Sequence, residues 1–353
     1  MKKATAIAPS NIAFIKYWGR KDEELRLPAN GSISMNLSGL LTKTTVEFDS
    51  SLKEDNIVIL NEVKDLEKKE DSSAKPQNDN NSEIASPAKP DRNDNKANEK
   101  VARHLDRIRK RAGINEFAKV VSENNFPHGT GLSSSASGFA ALTLAGTKAC
   151  GLDLSEKELS MLARQGSGSA CRSIPDGFVE WHDGDSSETS FAESIFSPDY
   201  WDIVDIVCIL TSDTKDVPTS EGQKGAGSSP FFATRQDHIK DKISKIKTSI
   251  KNQNFTEFGE LIEHEALEMH AIMLTQHPSL IYWYPETVRM MKVVQKLRKD
   301  GLPVYFTINT GQNIHIICEN KNVLRVEEIL QKIPEVKEIL VNHATHGARI
   351  MPS

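Results

Sequence analysis

Between Asn125 and Phe139 the chain reads NFPHGTGLSSSASGF and runs on as AALTLAG, a glycine- and serine-rich loop opening directly into a helix. Gly129 and Gly131 let the backbone turn tightly and approach a ligand, while Ser133, Ser134 and Ser135 bring hydroxyls and N–H groups to the helix N-terminus. Those are the requirements for cradling a phosphate, and they equally describe an ordinary cap. The spacing is neither GxxxxGK followed by Ser or Thr nor GxGxxG, so the loop is not a Walker P-loop or a dinucleotide fingerprint.

Around this loop, strand-like and helical segments alternate. Residues 44–48, 56–60, 117–121 and 178–181 read as strands. Ser155 with Glu158 forms a capping box before a helix that presents Leu159, Leu162 and Ala163. A second half starts after about residue 190, with an apolar strand at 201–210 and helices near 234–251, 255–273 and 286–299. Pro285 suits the first turn of the last helix and Gly301 its C′ position. A strand at 304–308, a turn at Asn309-Thr310-Gly311, a strand at 314–318, a helix at 322–332 and a strand at 336–341 follow. Mixed elements of this kind predict two α+β layers rather than a doubly wound sheet, divided into domains 1–190 and 191–353.

One stretch stands outside the alternation. Residues 64–99 carry seven Lys/Arg and nine Asp/Glu, with Leu66 and Ile84 the large apolar residues. Such a segment cannot bury enough surface to offset its ordering entropy. Its evenly mixed charges favour a disordered surface loop over a binding tail. It interrupts the first domain, because a helix bearing Val101, Leu105 and Ile108 resumes after it. The whole chain, with 44 Lys+Arg against 49 Asp+Glu, has net charge −5. Without a basic excess, nucleic acid is not expected as a partner, and any anion must be held by a few placed groups. No apolar run reaches about 18 residues, and the first residues turn polar too soon for a secretion signal, which predicts a cytoplasmic protein with no membrane association. Cys150, Cys171, Cys208 and Cys318 lie far apart without CxxC spacing and read as reduced packing residues.

Two more clusters accompany the loop. In QGSGSACRS, Arg172 sits among small hydroxyl residues, able to grip a carboxylate or phosphate through two parallel hydrogen bonds while Ser167 and Ser169 complete an oxygen shell. Two anion-holding loops in one chain point to one anion on a substrate and another on a nucleotide. Nearer the N-terminus, SNIAFIKYWGR places Lys16 among Ile12, Phe14 and Ile15 and before Tyr17 and Trp18. That lysine either lies on a solvent-facing edge or neutralises a substrate oxyanion. HEALEMH lacks the i, i+4 histidine pair of a helical zinc site, since Glu268 stands there and His264 and His270 fall far apart around a helix. His128 reads as a loop residue.

In this order, IAFIKYWGR, FPHGTGLSSSASGFAAL and ARQGSGSACRS with FVEW after it resemble the diphosphomevalonate decarboxylases of the GHMP kinase superfamily. The resemblance runs from Ala4 to the C-terminus, and residues 64–99 have no counterpart in it. It implies an α+β fold of two domains, ribosomal-S5-like then ferredoxin-like, with the active site in the cleft between them. It also implies ATP with Mg²⁺, and a homodimer. In that family ATP phosphorylates the tertiary C3 hydroxyl of a 5-phosphorylated mevalonate, and loss of this phosphate and of the C1 carboxylate gives isopentenyl diphosphate. Carried over by position, Gly129, Thr130, Gly131, Leu132, Ser133, Ser134, Ser135 and Ser137 hold the ATP phosphates, with Ser134 or Ser135 near Mg²⁺. Tyr17, Trp18, Gly19 and Arg20, together with Ser167, Gly168, Ser169, Ala170, Cys171 and Arg172, hold the substrate. Arg172 positions the C1 carboxylate and Lys16 offsets negative charge at the C3 oxygen. Ser220 falls where the family has a substrate-contacting Ser or Thr, although the GQKGAGSSPFF that follows is about one residue short.

One position departs from that pattern. The family carries a catalytic aspartate in an Asp-Ala-Gly-Pro-Asn turn, and here the turn reads Asn309-Thr310-Gly311-Gln312-Asn313. An amide cannot accept a proton as a carboxylate does. Three readings stand. Asn309 orients the hydroxyl while the proton leaves to the phosphoryl oxygens, which we favour. Asp176, in SIPDGF, supplies a displaced carboxylate instead of merely serving a turn before Gly177. Or decarboxylation is lost, leaving a mevalonate 3-kinase. A phosphomevalonate decarboxylase giving isopentenyl phosphate and a catalytically dead binding protein complete the alternatives.

Overall fold

The computed structural model describes residues 2–61, 92–126 and 131–352. In chain order come β1 (Lys3–Ile15), a small hairpin of β2 (Arg20–Asp22) and β3 (Leu27–Pro28), β4 (Ser32–Asp49), β5 (Asn56–Asn61), α1 (Arg92–Ala112), β6 (Phe117–Asn124), α2 (Ser134–Ala149), α3 (Glu156–Gly166), β7 (Phe178–Trp181) and β8 (Ala192–Phe196). The second half brings β9 (Ile203–Ile209), α4 (Thr219–Gly222), α5 (Phe232–Lys251), α6 (Phe255–Thr275), α7 (Pro285–Lys299), β10 (Tyr305–Thr307), β11 (Ile314–Glu319), α8 (Val323–Leu330), β12 (Glu338–His343) and β13 (Arg349–Ile350).

Among the described residues, seven strands form the first sheet, built on β1 and the eighteen-residue β4. The start of β4 pairs with β7 and its end with β6, while β1 runs antiparallel along both parts. Register shifts at Pro9/Asn11 and Ala13/Ile15 bend β1 as it approaches Lys16. The second sheet has the order β10-β11-β9-β12, antiparallel throughout.

Helices cover one face of the first sheet, where Leu105 and Ile108 of α1 meet Ala140, Ala141 and Leu144 of α2 over Ala6 and Ala8. Below β1, a different cluster joins Ile12, Phe14, Ile33 and Met35 to Ile203, Val207, Phe258 and Ile262. The Phe14 and Phe258 rings meet edge to face with centroids 4.8 Å apart. The two halves therefore share one core and cannot part without exposing it.

Local signals in the sequence are realised as read. Ser155 and Glu158 cap each other reciprocally, Pro285 opens α7, and Gly301 follows α7 at φ 90°. Two placements differ. The boundary expected at residue 190 is crossed twice, because β8 pairs with β7 and β13 pairs with β1 through Ala6 and Ile350, both in the first sheet. The polar segment expected as a loop through Glu99 is helical from Arg92, because Ala97 continues the apolar frame of Val101, Leu105 and Ile108 and an anchored helix propagates cheaply. The expectation of disorder over 64–91 lies outside the described residues.

Candidate active site

Lys16 lies one residue beyond the end of β1, 1 % exposed. Its Nζ donates to Asn309 Oδ1 at 3.1 Å, and Asn309 Nδ2 donates to Ser133 Oγ at 3.4 Å, so first-half lysine, second-half turn and glycine-serine loop converge. His270 Nε2 meets the Asn309 carbonyl oxygen at 3.0 Å with its ring stacked on Trp283. Burial drives the His270 imidazole down to about 3, so it is neutral and donates that bond. Burial also lowers Lys16 to about 7 against the opposing pull of Glu265. Glu265 accepts from the Lys16 backbone N–H at 3.1 Å and from Lys242 at 3.0 Å and pairs with Arg235, which also donates to the Lys16 carbonyl at 2.8 Å. Those cations hold its carboxyl below the usual range despite burial.

Arg172 projects from a short 3₁₀ helix over Gly168–Ser173 and is buried. Its Nε and Nη2 donate to Asn11 Oδ1 at 3.3 and 3.0 Å and its Nη1 to Ser32 Oγ at 2.9 Å. All these partners are neutral. Among the described residues no carboxylate lies within salt-bridge distance, so the guanidinium is a buried cation without a counter-ion, and burial lowers its affinity for its proton. Asn11 is itself fixed by Ser173 Oγ at 2.8 Å and the Ser169 carbonyl at 3.2 Å. The Tyr17 hydroxyl accepts from Arg20 Nε at 2.8 Å, and Gly168 packs so closely that an added Cβ would lie 2.8 Å from Tyr17 Cε1. The expected Arg20, Tyr17, Gly168 and Arg172 thus gather on one wall. Ser167 joins them to the loop through Ser135, Oγ to Oγ 3.4 Å.

In the loop, Gly131 at φ 92° lies against Gly311, where an added Cβ would stand 2.9 Å from Gly311 Cα. Leu132 is buried and its carbonyl accepts from Ser10 at 2.6 Å. Ser133 takes the left-handed conformation at φ 59°, and Ser134 opens α2. Gly129 and Thr130, with His128, lie outside the described residues.

Several expected contacts are placed elsewhere. Ser137, one turn into α2, faces the sheet and shares a 2.6 Å hydrogen bond with Thr42, so its hydroxyl is buried away from the loop. Trp18 is buried among Met269, Ile272 and Leu280 with Nε1 donating to Gln276 at 3.0 Å, a packing position. Ala170 and Cys171 are likewise buried, and burial pushes the Cys171 thiol up to about 12. Beside Ser220, the neighbouring Thr219 is the residue that reaches the Asn309 turn, 2.6 Å from Thr310 Oγ1. Lys215, which sequence reasoning missed, donates to Thr219 Oγ1 at 2.7 Å and to the Thr310 carbonyl at 3.0 Å, and burial lowers it to about 8. A lysine isolated in a polar loop carries no periodic or motif signal. Asp176 is fastened to the C-terminal tail by His346 Nδ1 at 2.8 Å and Gly347 N–H at 2.7 Å, which is a turn residue's role and removes the displaced-carboxylate reading.

Known proteins match this architecture along its length. The family model described as diphosphomevalonate decarboxylase-like N-terminal domain matches residues 8–84 and 77–192, and the mevalonate 5-diphosphate decarboxylase C-terminal domain matches 205–350. The phosphomevalonate decarboxylase of Haloferax volcanii is 32% identical over 327 residues, covering 92% of this chain and 91% of that one. Mevalonate diphosphate decarboxylase from Staphylococcus aureus superposes with a TM-score of 0.85 at 35% identity, over 99% of this chain and 98% of that one. A structure of MDDEF in complex with MVAPP, AMPPCP and magnesium gives the same score and identity over 99% of both chains. With matching domains at both ends and a fold shared along its whole length, the chain belongs to the diphosphomevalonate decarboxylase family and has its α+β, two-domain GHMP kinase fold.

Proposed function

We propose that the protein is an ATP-dependent decarboxylase that converts 5-diphosphomevalonate and ATP into isopentenyl diphosphate, ADP, phosphate and CO₂. The observation that carries this reading is the buried, counter-ion-free Arg172, near enough to Lys16 to oppose a second charge there, because a protein that binds no anion has no physical reason to retain it. In this reading Arg172 holds the C1 carboxylate, and Tyr17 and Arg20 with Ser167, Gly168 and Ser169 take the 5-phosphoryl end. Asn309 and Lys16 receive the C3 hydroxyl, and Ser133 to Ser135 with Gly131 face the nucleotide phosphates. Holding the hydroxyl and the phosphoryl group in line supplies much of the rate for a loose phosphoryl transfer. Once the C3 phosphate leaves, the electrons of the C1–C2 bond form the alkene and CO₂ departs from the grip of Arg172.

In this reading a metal ion comes as the nucleotide's companion. Among the described residues no three His, Cys, Asp or Glu converge, and in this reading the Ser134 and Ser135 hydroxyls stand near the ion, since Mg²⁺ commonly keeps waters and phosphate oxygens as its other ligands. Bound there, Mg²⁺ would neutralise charge on the transferring phosphoryl oxygens.

A second reading takes the monophosphate and gives isopentenyl phosphate, and the Haloferax volcanii relative favours it. Incubating the protein with ATP, Mg²⁺ and mevalonate, its 5-phosphate or its 5-diphosphate, with ADP and CO₂ measured separately, decides. Equimolar ADP and CO₂ from the diphosphate supports the main reading, the same from the monophosphate the second, and ADP without CO₂ a 3-kinase. No helix among the described residues is long and apolar enough to cross a membrane. A homodimer in the cytoplasm is the setting we read with this function, and sedimentation at micromolar concentration tests the assembly.

A further inference from the structure

We infer that Lys16, entering the reaction as an uncharged amine, takes the proton of the C3 hydroxyl, so that the base absent from position 309 is supplied from the end of β1. The inference deepens the function proposed above and rests on it. An amide at 309 offers an oxygen that accepts hydrogen bonds and no site that holds a proton. At 3.1 Å from Lys16 Nζ, Asn309 Oδ1 takes one N–H and leaves the nitrogen lone pair available.

The charged groups facing Lys16 leave its head without a counter-ion. Glu265, from α6, spends its oxygens on the Lys16 backbone N–H, on Arg235 and on Lys242. Asp205, from β9, is held by His315 Nδ1 at 3.0 Å. Arg172, from the short 3₁₀ helix, is a like charge that disfavours a second cation, and His270 beside Asn309 is neutral. Asp176 is tied to the tail. Among the described residues no carboxylate comes within 4.0 Å of Nζ, and the residue is 1 % exposed. Desolvation together with Arg172 outweighs the pull of Glu265 and Asp205, which puts the amine near 7 and able to work in both directions at neutral pH.

The step balances. The C3 O–H bond breaks as an N–H bond forms on Lys16, the C3 oxygen bonds the γ-phosphorus of ATP, and ADP leaves with the electrons of the broken bond. The ammonium formed then sits beside the new phosphate oxygen and offsets its charge. Its proton passes to water when products depart.

Two measurements test this. In the substrate-free protein, NMR of ¹³Cε-labelled lysine, assigned with Lys16→Arg, should show a titration midpoint near 7, and Asn309→Asp should raise that midpoint by about one unit or more because a carboxylate favours the ammonium. In turnover with saturating 5-diphosphomevalonate and ATP, CO₂ release should fall about tenfold per pH unit below the midpoint, and in Asn309→Asp, where the new carboxylate replaces the amine as base, that limb should lie lower by about a unit or more with the same substrate ionisations. Lys16→Arg, always charged, should lose about a hundredfold or more, and Asn309→Asp in that background should recover at least tenfold. A midpoint above 9, or a Lys16→Arg enzyme within tenfold of the parent, overturns the inference while leaving the function intact. No product from any mevalonate species overturns the function itself.

Discussion

Replacing Arg172 by Met separates a cation kept for a ligand from one kept for the fold. The substitution removes a buried charge with no counter-ion, and the relief is worth several kcal/mol. Against this, Asn11 Oδ1 and Ser32 Oγ lose their donor, each at about 1–3 kcal/mol. The two sides nearly cancel, so stability should change by less than about 2 kcal/mol, a shift in Tm of at most about 5 °C for a chain this size. A guanidinium that served as half of a structural ion pair would cost about 3–5 kcal/mol instead. Binding of a carboxylate should fall far more, since truncating one side of a buried charge pair costs about 2–5 kcal/mol, or about 30- to 5,000-fold in kcat/KM. The assay is a two-by-two cycle: parent and Arg172→Met against 5-diphosphomevalonate and an analogue whose carboxylate is replaced by methyl, with calorimetry for affinity and thermal unfolding for stability. The two proteins should bind the analogue alike and differ only for the carboxylate. A variant that unfolds 10 °C lower while keeping its preference for the carboxylate would refute it.

Glycine contacts give two kinetic predictions with opposite signatures. Gly168→Ala puts a Cβ within 3.0 Å of the Tyr17 hydroxyl and should displace Tyr17 and Arg20, raising KM for the phosphorylated substrate about tenfold with kcat nearly constant. Gly131→Ala combines a φ of 92° with a clash against Gly311, and should lower kcat by about a hundredfold by moving Asn309; unchanged kcat would sever the loop from that turn. Glu265→Gln leaves Arg235 and Lys242 without their buried partner and should cost about 3–5 kcal/mol in urea unfolding. His104, buried against Thr143 and lowered to about 3 by desolvation, stays neutral in the fold while the unfolded chain takes up its proton near 6.5. Stability should therefore fall as pH drops from 6.5 toward 3, and His104→Gln should flatten that slope in Tm.

What could be read from the sequence is what short-range physics decides. A serine that caps and a glutamate three residues on satisfy each other's backbone donors, so Ser155 and Glu158 announce a helix start wherever they occur. Pro285 and Gly301 bracket α7 for reasons equally local. Asn309 stood out because its chemistry fails the role that the family resemblance implies for that turn. The missed features are those set by distant partners. β13 is two residues long and exists because Ala6 and Ile7 offer it an edge more than three hundred residues away. Whether Ser137 or Ser135 faces the ligand depends on where Thr42 lies, and whether Thr219 or Ser220 meets the turn depends on Thr310. None of these is encoded in its own segment.

The histidine-bearing segment 264–270 shows how a motif can be discounted for its chemistry and still matter to the site. As a metal helix it fails: His264 points to solvent and Glu268 is drawn to Lys242. Yet α6 is the element that fixes the two halves of the site relative to each other. Phe258 packs on Phe14 two residues before Lys16, and Glu265, seven positions on and so on the same face, receives the Lys16 backbone N–H. His270, about a third of a turn around, holds the Asn309 carbonyl. One rigid helix therefore sets both ends of the 3.1 Å contact between Lys16 and Asn309. That separation is fixed by packing in the shared core and not by the loops that carry the chemistry, which is why a one-atom exchange at position 309 can alter the proton's route without disturbing where the substrate hydroxyl must sit.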